Sequence, residues 1–132
     1  MAHNALQAYE AAAKTTNSSR KLEASILFKA ARQLQACQAA WDAPDSETRL
    51  QEALRYNQRL WTVFQTALVR PDHPLDPQMR LNLLTISAFV DRRTFELLSR
   101  PDREKVQALI DINRNLASGL STDPPPAPEV QP

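Results

Sequence analysis

Two asparagines, Asn57 and Asn113, stand where their segments are otherwise most apolar, and their placement is the strongest hint of chemistry in this chain. Projected at about 100° per residue, Asn57 falls at the centre of a stripe made by Leu50, Ala53, Leu54, Leu60, Trp61, Phe64, Ala67 and Leu68. Asn113 holds the same position among Val106, Leu109, Ile110, Leu116, Ala117 and Leu120. A buried amide left unpaired costs about 1–3 kcal/mol, so both side chains demand partners. Two arrangements supply them. The amides bond each other or a backbone carbonyl and fix helix register, as a lone core Asn does in coiled coils. Alternatively the stripes are partly open and the amides orient an incoming helix.

Catalytic chemistry has no comparable footing. His3 and His73 occupy a terminus and a proline-rich loop, without ligand partners at metal spacing. A single glycine, Gly119, cannot build a phosphate-cradling loop, and there is no serine nucleophile elbow. Asp102 and Glu104 interleave with Arg103 and Lys105, the pattern of a solvated helix start. Cys37, the one cysteine, lies in an apolar stripe with Ile26, Leu27, Ala30, Ala31, Leu34 and Trp41, and reads as a small buried hydrophobe. The expectation is a protein that is not an enzyme, with no catalytic residues, metal site or cofactor.

The elements that must position these residues are helices. The lone glycine and the abundance of Ala, Leu, Gln and Arg favour helix throughout. Pro44, Pro71, Pro74, Pro77 and Pro101 divide the chain, because an interior proline removes a backbone donor and clashes with the preceding turn. Four long helices are predicted: Ser19 to Trp41, Asp45 or Ser46 to Val69, Pro77 to Leu98, and Asp102 to Ser118. Residues 2 to 14, with Leu6, Tyr9 and Ala13 on one side, predict a separate short N-terminal helix. Asp76 reads as an N-cap ahead of Pro77, and Gly119 as a left-handed C-terminal stop. The expected fold is therefore all-α, a bundle of four long helices plus the short one. Residues 1–120 form the single domain, and 121–132 form a disordered Pro-rich tail.

The third helix is apolar on two sides. Leu81, Leu84, Ala88 and Phe95 form one stripe; Leu83, Ile86, Val90 and Leu97 form the other and look surplus to a simple bundle. Asp91 beside the first stripe needs an amide or guanidinium partner and reads as part of a structural polar network. Arg93 reads as a solvated charge, and Asp111 and Arg114 as a surface pair.

Composition narrows the partners. With 16 basic and 15 acidic residues the formal charge is +1, leaving no global footprint for nucleic acid or anionic membrane. No segment has the plan of a signal peptide or the roughly 18 apolar residues needed to span a bilayer, and the lone cysteine suits a reducing compartment. A soluble cytoplasmic protein is expected.

Three strings carry a family likeness: Asn57-Gln58-Arg59-Leu60-Trp61, Asn82 through Thr94 with its Phe89-Val90-Asp91-Arg92 core, and Leu109 through Leu120 with Ile110-Asp111-Ile112-Asn113-Arg114. Together, from about residue 6 to residue 120, the chain resembles the FlaF family of flagellar biosynthesis regulators. The resemblance implies binding to flagellin before secretion and positive control of flagellin synthesis after transcription, in opposition to or together with a regulator called FlbT. Flagellin termini are amphipathic helices, so the implied task is to cover such a helix in an apolar groove. The partner-binding candidates are Trp61, Phe64, Phe89, Val90 and Phe95 as anchors, Asn57 and Asn113 for register, and Arg93 and Arg114 from the matching strings. A second class of function is RNA binding through Arg80, Arg92, Arg93, Arg100 and Arg103 on the third helix and its exit. A third is a self-associating helical scaffold.

Overall fold

A computed structural model describes the backbone of residues 2–121 and the side chains of residues 19–121. Its elements are α1 (Ala2–Ala39), α2 (Ser46–Leu68), α3 (Pro77–Ser99), a single 3-10 turn (Glu104–Val106) and α4 (Gln107–Ser121), with no strand among the described residues. The all-α expectation and its four long helices are observed. The Pro-rich tail lies outside the described residues.

The separate N-terminal helix is not present: residues 2–39 are one continuous helix. Thr15, Thr16, Asn17 and Ser18 lower helix propensity by only a few tenths of a kcal/mol each, and no proline or glycine occurs before Pro44 to break it. At about 1.5 Å per residue α1 is roughly 57 Å long.

Proline chemistry sets the other boundaries. Asp76 accepts a hydrogen bond from the Met79 backbone N–H at 3.4 Å, and Pro77 opens α3, where its missing donor costs nothing. Arg100, ahead of Pro101, is extended at φ −143° and ψ 95°, as a residue before proline must be, and α3 stops there. Asp102 then receives the N–H groups of Glu104 and Lys105 at 3.1 and 3.4 Å and starts the final helical segment. Gly119 departs from its expected role. It has no positive φ, and α4 runs through it to Ser121.

α1 packs along α4 and against α2, while α3 packs against α2 and meets the 3-10 turn. The core joins Leu27, Ala31 and Leu34 of α1, Leu50, Leu54 and Trp61 of α2, Val90 and Leu97 of α3, and Leu109, Ile110 and Ala117 of α4. Cys37 is free and buried, and burial raises its thiol pKa above the ordinary value, with Arg49 pulling the other way.

The two stripes of α3 are assigned the opposite way from the sequence expectation. Val90 and Leu97 are buried together with Ser87 and Thr94, whereas Leu81 and Phe95 are exposed. Ser87 and Thr94 tolerate burial because each hydroxyl donates back to its own helix, to Leu84 O at 3.0 Å and Val90 O at 2.7 Å. These two short side chains complete the inward face that a purely apolar count leaves thin.

Candidate partner-binding groove

Asn57 and Asn113 meet across the α2–α4 boundary. Asn113 donates from Nδ2 to Asn57 Oδ1 at 2.7 Å and accepts from Trp61 Nε1 at 3.0 Å. Both amides are fully buried and bond each other, rather than standing in a stripe left open to an incoming helix. Trp61 has its ring edge-on to Phe64, with centroids 5.7 Å apart and planes at 84°. The amide network thus holds the indole, and the indole positions Phe64.

Phe64 opens onto a groove of about 640 Å³. Trp61, Phe64, Ala67 and Leu68 form its α2 wall, Leu116 and Leu120 its α4 wall, Leu83 its α3 edge, and Ser19, Arg20 and Glu23 its α1 edge. The connection between α2 and α3 closes one end with His73, Pro74 and Leu75. That connection is ordered locally: the His73 N–H donates to Arg70 O, and the Leu75 N–H donates to His73 Nδ1, both at 3.2 Å. Arg80 secures its far end by donating from Nε and Nη2 to the α2 C-terminal carbonyl of Leu68 at 3.0 and 2.8 Å, a position that favours a cation.

The groove is apolar inside and ionic at one rim. Burial raises the Glu23 carboxyl pKa above its ordinary value, while Arg20 and His73 oppose the shift. An occupant matching this geometry has aliphatic or aromatic side chains at helical spacing. A second depression is lined by Gln35, Gln38, Ala39, Arg103, Glu104 and Gln107, and Gln38 donates to Arg103 O at its edge.

The nine sequence-predicted residues are distributed unevenly. Asn57, Trp61, Phe64 and Asn113 come together behind and within the groove wall. Val90 is in the core. Phe89 is half-buried under Arg93, whose guanidinium lies 4.9 Å from the ring centroid. Arg93 is not simply solvated: it donates from Nη1 to Lys105 O at 3.0 Å. Its Nε lies 3.4 Å from Glu96 Oε2 without hydrogen-bond alignment. Phe95 is exposed on the far side of α3. Arg114 pairs with Gln35 Oε1 of α1 at 3.2 Å, and Asp111 accepts instead from Gln107 at 2.9 Å, so the expected Asp111–Arg114 pair does not form. Asp91 has the amide partner it required, accepting from Gln65 Nε2 at 2.8 Å.

Arg20, Glu23, His73, Leu75, Leu83, Leu116 and Leu120 were not among the candidates. Leu116 and Leu120 carried a signal in the α4 stripe, whereas the loop residues reach the groove only through the path of the chain.

The family model for flagellar protein FlaF matches residues 5–120. The chain belongs to the FlaF family. No curated protein and no solved structure matches it. The match spans all four helices of this FlaF-family chain, and thus every wall of the groove, and it relates the protein to the flagellum. Among the described residues no helix is long and apolar enough to cross a membrane, and no cluster of metal-ligating side chains occurs.

Proposed function

We propose that this FlaF-family chain is a non-enzymatic interaction protein of flagellum assembly that captures a terminal helix of flagellin in the groove between α2 and α4. Covering that helix keeps unassembled flagellin from aggregating and delivers it for secretion. Capture also couples export to flagellin synthesis after transcription, in opposition to or together with FlbT. Acting before export, the protein works in the cytoplasm.

The observation that carries this reading is the apolar groove itself, with Phe64, Leu83, Leu116 and Leu120 as its walls and Arg20, Glu23 and His73 at its rim. An amphipathic helix buries one stripe there and leaves its polar face in water. Direct RNA binding has weaker support, since Arg80 and Arg93 of the five candidate arginines are engaged within the fold.

Calorimetric titration with monomeric flagellin tests the proposal, run in parallel with flagellin lacking its terminal helices. Binding lost on truncation and weakened by Phe64→Ala and Leu120→Ser is the expected result. Failure of full-length flagellin to bind, or binding indifferent to both substitutions, overturns it.

A further inference from the structure

α3 and α4 meet at one end and part toward the other. Arg93 of α3 bonds Lys105 O in the turn that leads into α4, and away from that point burial falls along both helices. On α3, Leu97 and Val90 are buried, whereas Leu83, the next of that row of seventh residues, is half-buried. On α4, Leu109 and Asn113 are buried, whereas Leu116 and Leu120, each seven residues further on, are half-buried. Leu83, Leu116 and Leu120 are walls of the groove, which is therefore the open end of a wedge floored by Trp61 and Phe64 of α2.

Met79 and Ile86 stand on the side of α3 that faces into this wedge. At about 100° per residue, Arg80 and Asp91, which bond α2, lie to one side of Leu83, and Arg93 lies to the other. Met79 and Ile86 fall on the side of Arg93, and they are 56% and 37% exposed. Their polar neighbours carry no charge. Asn82, one turn before Ile86, accepts from Gln78, and Asn115, beside Leu116, is exposed. From Met79 to Phe89 the one charged residue is Arg80, held by Leu68 O, and from Ile112 to Ser121 it is Arg114, held by Gln35. Charge borders the groove at its α1 and loop edges instead, as Arg20, Glu23 and His73.

We propose that the wedge is selective for a flagellin helix whose apolar stripe is bordered by uncharged polar residues, Ser, Thr, Asn or Gln, and that Met79 and Ile86 are its contacts on α3. This deepens the groove-capture reading and rests on it. A charged side chain bordering the stripe leaves water against Leu83, Ile86 and Leu116 and meets no counter-charge there. An amide or hydroxyl in the same place finds Asn82 or Asn115 within the mouth of the wedge. Helices bordered by charge are thereby rejected without any repelling group on this chain.

Synthetic three-heptad peptides with Leu at a and d, and with Gln, Glu or Lys at every e and g, serve as probes below the concentration at which they pair with themselves. In fluorescence-polarisation titrations with the full chain, the Gln peptide binds at least about tenfold tighter than either charged peptide. Met79→Ser and Ile86→Ser weaken it by about tenfold, the more exposed Met79→Ser with the thermal midpoint unchanged, and Phe95→Ser on the outer face of α3 leaves it intact. Asn115→Asp moves the preference to the Lys peptide, which a loss of packing does not do. Equal binding of the three peptides, or indifference to both α3 substitutions, overturns the proposal. Flagellin itself separates this proposal from the reading beneath it. Flagellin binding that Phe64→Ala weakens but Met79→Ser and Asn115→Asp leave untouched overturns the selectivity and keeps groove capture. A Gln peptide that binds where flagellin does not supports the selectivity and removes flagellin as the occupant. A dimer in sedimentation that Ile86→Ser dissolves assigns the wedge to a second copy and overturns the proposal.

Discussion

Asn113 donates from Nδ2 to Asn57 Oδ1 at 2.7 Å, and neither side chain has any solvent exposure. The two amides are not equivalent. Asn113 serves both Asn57 and Trp61, whereas Asn57 Nδ2 is buried without a partner. A network satisfied at one member and short at the other responds asymmetrically to substitution.

Asn57→Leu removes one unpaired donor and creates another on Asn113, so its net effect on stability is expected within about 1 kcal/mol. Asn113→Leu strands Trp61 Nε1 and leaves the whole Asn57 amide unpaired, a loss of at least about 2 kcal/mol. Urea unfolding of the two variants checks the asymmetry. Equal losses would mean that the hydrogen bonds do not distribute as described.

Val90 and Phe95 separate the two faces of α3. Val90 is fully buried, and Val90→Glu places an unpaired carboxylate in the core at a cost of more than about 3 kcal/mol. Phe95→Ser alters an exposed position and should change stability by no more than about 0.5 kcal/mol. Thermal melts of both variants decide the assignment, and the reverse ranking would turn α3 around.

Particular residues show what the chain makes legible. Asp76-Pro77 and Arg100-Pro101 mark helix ends because their backbone restrictions are local, so the α3 boundaries follow from the sequence alone. The orientation of α3 does not. Its stripes are nearly symmetric in apolar content, and the distinction rests on Ser87 and Thr94, which look polar until their hydroxyls bond their own helix. Asn57 and Asn113 were recognisable as buried amides needing partners. Their link to Trp61, which joins residues 52 apart in the chain, was not. The groove was half legible: Phe64 stood among the candidate anchors, while His73 and Leu75 arrive through a loop whose course no periodicity encodes.

Glu23 gives the groove rim a pH dependence of defined sign. Burial raises its folded pKa above the ordinary value of 4.5, with Arg20 and His73 opposing. The folded state then holds the proton more tightly than the unfolded state. Its contribution to stability is fully present below the unfolded pKa and is lost as pH rises through the folded pKa. Glu23→Gln abolishes that decline. Unfolding free energies of both proteins, measured at intervals from about pH 4 to pH 7, should diverge in favour of the variant as pH rises. A constant difference across the range would show that the carboxyl titrates alike in both states.

Gly119 supplies a test of how far α4 extends. A Cβ added there meets nothing within 4 Å, and the residue has helical rather than left-handed backbone. Replacing glycine by alanine in a helix lowers the entropy of the unfolded chain and favours the folded one. Two residues from the helix end, where fraying dilutes the effect, Gly119→Ala is expected to stabilise by about 0.5 kcal/mol. A left-handed C-terminal stop would respond oppositely, because alanine is strained at positive φ. A raised midpoint in denaturant unfolding therefore supports a helix that continues through Gly119 and carries Leu120 onto the groove wall. A lowered midpoint ends α4 before that residue and removes Leu120 from the wall.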